Sequence, residues 1–90
     1  MVERDYIKLN ESLKRLRSNK DFKALIEQGY FIDEVLEASE ELNNASFVNQ
    51  GLRPYVLERI TGINMLKQYF EKVENLAASQ KQANEEAEGI

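Results

Sequence analysis

Neighbouring carboxylates are the first side chains in this chain that invite a chemical role: Glu40 beside Glu41, and Glu85 beside Glu86. Acid–base catalysis by such a pair needs both groups to converge on one bond. Adjacent residues of a helix diverge by about 100°, so neither pair does this. Glu37 and Glu41 share a face, but that face is expected to be the solvent side of an acidic segment. The 90 residues contain no histidine and no cysteine. That removes Ser-His and Cys-His nucleophiles, and excludes zinc, haem and iron–sulfur ligation by side chains. No dinucleotide fingerprint, Walker loop, calcium loop, zinc-protease or nucleophile-elbow pattern occurs. The expectation is a chain with no catalytic residue, no cofactor-binding residue and no metal ligand. It is not expected to be an enzyme.

The elements that carry these residues are helical. With 42% hydrophobic and 31% charged residues, one proline and no tryptophan, the composition fits one small globular domain with a modest core. Uninterrupted apolar runs reach only two or three residues, so neither a membrane span nor a signal peptide is expected. The expected location is the cytoplasm of a host cell or a virus particle.

Helical periodicity appears three times before the linker. In residues 2–18, Val2, Tyr6, Leu9, Leu13 and Leu16 step by four and three, forming one narrow stripe. Asn19 is a candidate N-cap for a second helix over residues 20–28, with Gly29 as its left-handed end. A third helix over residues 31–43 centres its apolar face on Phe31, Val35, Ala38 and Leu42. Tyr30 is expected at the corner between the second and third helices. Asn43, Asn44, Gly51 and Pro54 mark a turn-rich linker. Pro54 fits the first turn of a last helix beginning near residues 52–54 and running to about residue 78; a start at Ser46 with a kink at Pro54 is the alternative.

The expected fold is all-α, a small bundle of three to four helices with a long C-terminal helix. Residues 1–79 make the single helical domain, and residues 80–90 a flexible acidic tail, either frayed or disordered or helical for another turn or two. The expected core is Leu9, Leu13, Leu16, Phe22, Leu25, Ile26, Phe31, Val35, Leu42, Ile60, Ile63, Leu66 and Phe70.

Charge is unevenly spread. The net charge of -4 comprises a basic segment over residues 1–23, a wholly acidic one over residues 24–46 and a nearly balanced remainder. Lys14, Arg15, Arg17, Lys20 and Lys23 would suit phosphate contacts. The acidic total argues against nucleic acid as a partner. The basic segment is expected to lie near the acidic third helix.

The last helix carries two apolar stripes. One holds Val56, Ile60, Ile63, Leu66, Phe70 and Ala77; the other holds Tyr55, Gly62, Met65, Tyr69 and Leu76, with Val73 between them. Within the second, Tyr55, Gly62, Tyr69 and Leu76 recur every seven residues, which keeps one face toward a helical partner. Either the helix is central, with the first helix on one side and the next two on the other, or the second stripe is a seam for another chain. Tyr55, Gly62, Met65, Tyr69 and Leu76 are therefore the candidate protein-binding residues, with a homodimer among the arrangements they allow.

The order Leu13-x-x-Leu16, Asn19-x-Asp21-Phe22-x-x-x-Ile26, Gly29-Tyr30-Phe31-x-Asp33-Glu34 and Leu66-x-Gln68-Tyr69-Phe70 resembles a group of small acidic helical proteins of tailed bacteriophages. The likeness covers roughly residues 9–74 and is most specific at Asp21-Phe22 and Gly29 to Glu34. Gly51 and Pro54 of the linker have no counterpart in it. Such proteins are encoded among virion and head-assembly genes, without an established activity. The resemblance implies a viral accessory protein working through protein contacts, and assigns no site residue. An acidic inhibitor of a host protein, such as a nucleic-acid enzyme, has the same composition.

Overall fold

Side-chain caps set several of the helix boundaries in the computed structural model, which describes residues 4–88. Asp5 accepts from the Lys8 N–H at 3.1 Å and starts α1 (Tyr6–Arg17). Asn19 accepts from the Phe22 N–H at 3.0 Å and starts α2 (Lys20–Phe22), as its type predicts. Asn44 caps α4 (Ala45–Asn49) through the Phe47 N–H. Gly51 supplies a left-handed turn (φ 75°) before α5 (Arg53–Glu88), in which Pro54 occupies the first turn. Val2 of the expected first stripe lies outside the described residues.

The expected break at Gly29 is absent. α2 leads without interruption into a π-helical segment (Lys23–Asp33) and then α3 (Glu34–Leu42). The Glu34 N–H bonds to the Gly29 carbonyl, five residues back. Gly29 is thus inside a helix rather than at its end, and Tyr30 continues that helix instead of turning a corner. A Cβ on Gly29 would lie 3.1 Å from the Ala24 carbonyl oxygen, so glycine relieves crowding inside the wide turn.

The wide turn changes which side chains share a face. Phe22 and Phe31 are nine residues apart, which at about 100° per residue would set them on opposite sides of an α-helix. With hydrogen bonds running to i−5, roughly nine residues make two turns instead. Both rings therefore reach Phe70 of α5, at centroid distances of 6.0 Å and 5.8 Å.

The whole is a long hairpin. Its first leg is segmented (α1, α2, the π segment, α3 and α4), and its second is α5, 36 residues or about 54 Å long. The legs run antiparallel: Tyr6 meets Gln80, Arg17 pairs with Glu74, Phe31 meets Phe70, and Glu41 meets Arg59. The radius of gyration is 18.4 Å, well above the roughly 12 Å of a compact chain of this size.

One seam of α5 serves α1, the π segment and α3, while α4 packs on α3. Val56, Ile63, Phe70 and Ala77 repeat every seven residues; all but the half-buried Phe70 are buried, as is Val73 beside them. The first leg contributes buried Leu13 from α1 and Ala38 from α3. The first helix and the later ones thus follow one another along one side of α5, and α5 is not sandwiched between them. With cover on one side only, several expected core residues are half-buried, Phe22, Phe31 and Phe70 among them. Leu16, Leu25 and Leu66 are exposed and do not belong to the core, Leu25 most of all at 71%.

Charge pairing also departs from expectation. The basic first segment reaches α5, through Arg17 and Glu74, and α3 does the same through Arg59. Arg59 lies 2.7 Å from Glu41 and 3.6 Å from Glu34, and the Glu41 hydrogen bond raises its pKa further above the ordinary arginine value. These pairs are partly exposed and align the legs more than they stabilise them.

α5 does not stop near residue 78. Residues 80–88 of the segment set apart as a tail continue as helix, and residues 89–90 lie outside the described residues. Ala, Glu, Gln and Lys dominate this stretch and favour helix. Gln80 joins the legs: its Oε1 accepts from the Tyr6 N–H at 2.9 Å, and its Nε2 donates to the Arg4 carbonyl at 2.8 Å.

Phe70→Ala should cost about 3 kcal/mol in chemical denaturation, the low end for a truncated core Phe; an unchanged midpoint would remove Phe70 from the core. Truncation after Gln80 should leave the unfolding transition in place. Truncation after Ser79 should cost about 1 kcal/mol and speed amide exchange at Tyr6, because the Gln80 bonds are lost.

Candidate protein-binding face

The stripe of Tyr55, Gly62, Met65, Tyr69 and Leu76 runs along α5 beside the seam, over about 32 Å of helix. Its central and N-terminal parts face outward. Tyr55 is 63% exposed, Met65 64% and Tyr69 39%, while Leu76 is half-buried. Gly62 is exposed, and a Cβ built there meets nothing within 4 Å. Close approach of a neighbouring helix within the protomer is therefore not what Gly62 serves.

The face widens toward α1. Tyr69, Phe70 and Val73 of α5 and Leu9, Ser12, Leu13 and Leu16 of α1 line an apolar groove of about 160 Å³. Leu16 of that lining is itself exposed, as is Leu66, one turn before Phe70 on α5. The larger recess of about 540 Å³ lies between Arg4, Asp5, Lys8 and Glu11 at the start of α1 and Gln80, Ala83 and Asn84 of α5. It mixes charges of both signs and holds no apolar anchor beyond Ile7 and Ala83.

Sequence reasoning missed a second exposed apolar strip. Leu25, Ile32 and Leu36 all lie in the open on the π segment and α3. Their spacing of seven and four was visible, but a break at Gly29 would have separated them. Of the basic cluster, Arg17 is drawn into its pair with Glu74, while Lys14, Arg15, Lys20 and Lys23 stay exposed. On α3, Glu37 and Glu40 face solvent. No helix among the described residues is long and apolar enough to cross a membrane.

These features define a class by shape: an extended antiparallel helical hairpin whose continuous leg keeps one apolar flank open. No protein-family model, curated protein or solved structure matches the chain.

Because the space around Gly62 is open, Gly62→Ala should stabilise the protomer by about 0.5–1 kcal/mol, through helix propensity. Gly62→Leu should likewise fold without the penalty of about 1–3 kcal/mol that overpacking brings. A lowered thermal midpoint for the alanine variant at micromolar concentration would show that the position is crowded.

Proposed function

We propose that the protein is a non-enzymatic bacteriophage accessory protein that acts through helix–helix contacts in virion or head assembly. The observation that carries the contact role is the open flank of α5, where Tyr55 and Met65 are each almost two-thirds exposed. Tyrosine and methionine suit such a role, since each offers a large contact area with a polar tip or an adaptable thioether. The virion setting rests on the resemblance over residues 9–74.

A second reading is an acidic phage-encoded inhibitor of a host protein such as a nucleic-acid enzyme. It is favoured by the outward carboxylates Glu37 and Glu40 of α3, beside the exposed Asp33.

Quantitative mass spectrometry of purified particles and assembly intermediates, set against the soluble fraction of infected cells, separates the two. Enrichment in particles, lost in Met65→Lys without loss of helicity, is the expected result. A chain found only in the soluble fraction, bound to a host protein and released by Glu37→Lys with Glu40→Lys, would replace the first reading with the second.

A further inference from the structure

The open flank of α5 has a symmetry in its residue types that points to its occupant. Extended to its charged members, the stripe reads Tyr55, Glu58, Gly62, Met65, Tyr69, Lys72 and Leu76, alternating steps of three and four. This spacing keeps seven positions on one face for three helical repeats. Met65 stands at the centre. Glu58 lies seven residues before it and Lys72 seven residues after it, and these are the only charges on the stripe. Both are exposed, and among the described residues neither takes part in an ion pair.

We infer that this flank pairs with the same flank of a second copy of the chain, antiparallel, about a two-fold axis at Met65. The inference rests on the protein-contact reading above and deepens it by naming the partner. A two-fold axis at Met65 sets Glu58 of each copy against Lys72 of the other, twice over. A parallel, in-register pair would instead stack Glu58 on Glu58 and Lys72 on Lys72, which costs at both ends. The apolar members follow the same symmetry. Gly62 of one copy faces the turn that carries Tyr69 of the other, so a missing side chain lies opposite a ring. Tyr55 similarly meets the turn that carries Leu76. The absent Cβ at Gly62, which the protomer itself does not need, lets the two helices approach closely beside the axis. Exposed Leu16 of α1 borders the groove next to Tyr69 and widens the buried strip. The apolar contacts supply the attraction, and the two crossed charge pairs select the orientation.

The chain has no cysteine, so single-cysteine variants report pairing geometry without background. In an antiparallel pair about Met65, the two Met65 positions face each other, whereas the two Tyr55 positions are about 30 Å apart along the helix. Under mild oxidation, Met65→Cys should form a covalent dimer and Tyr55→Cys should not. Sedimentation equilibrium of the full chain should show a concentration-dependent dimer. Glu58→Lys or Lys72→Glu alone should weaken it about tenfold or more, and the double exchange should restore most of that loss.

Efficient cross-linking of Tyr55→Cys to itself would overturn the antiparallel arrangement. So would a dimer indifferent to both single charge reversals. A wild-type chain that stays monomeric at high micromolar concentration would overturn self-pairing altogether. Particle enrichment that Met65→Lys still abolishes would then show that the flank takes a different protein, so the two failures are told apart.

Discussion

Phe70 held between Phe22 and Phe31 is the contact on which the rest of the hairpin depends. It sits midway along α5, where the first leg changes from α1 to the π segment and α3. Without the wide turns, a continuous helix through residues 20–42 would turn one of the two rings away. The segmented leg would then hold α5 at its ends and not at its middle. The π segment is thus the device that lets one uninterrupted stretch of helix re-aim its apolar side chains. Gly29 sits at a tight point of it, because a Cβ there would lie 3.1 Å from the Ala24 carbonyl oxygen.

A single shared seam has energetic consequences. Buried side chains are few and mostly small: Leu13, Ala38, Val56, Ile63, Val73 and Ala77. Small residues let the legs lie close but bring little apolar area each. Partly exposed aromatics and the ion pairs of Arg17 and Arg59 supplement that core. The elongated shape, 64 Å by 30 Å by 20 Å, follows directly, since the legs stack in one layer pair and do not fold back into a globule. It also explains why so much apolar surface stays in the open. A bundle with a third leg would have covered the flank that Tyr55 and Met65 present.

What the sequence disclosed was what local chemistry decides. Asn19 as a cap, Gly51 as a turn and Pro54 in the first turn of α5 are set by their own backbones and nearest neighbours, and each appears where its residue type places it. Both stripes of α5 were legible from spacing alone. Which stripe would be covered was not legible, because that depends on where distant segments dock. The role of Gly29 is not legible from the sequence, because glycine serves equally well as a helix end and within a wide turn, and no neighbouring residue type distinguishes the two. Apolar period does not reach the end of α5, where Gln80 holds its place by bonding backbone groups of the opposite leg. Charge totals misled in a similar way: the basic and acidic segments of the first leg lie end to end along it, and both find partners on α5.

The Gln80 clasp has a mechanical corollary. Arg4 and the last turns of α5 lie at one end of the rod, and the turn at Gly51 lies at the other. Tension applied between the two ends of the chain would therefore open the hairpin like a zipper. The Gln80 bonds would break first, then the contacts of α1, then the aromatic cluster and finally α3, each bearing the load in turn. Contacts loaded in series yield at lower force than contacts sheared together. The same rod pulled from opposite tips would have to slide its whole seam at once. The molecule is accordingly compliant along one direction and stiff along the other.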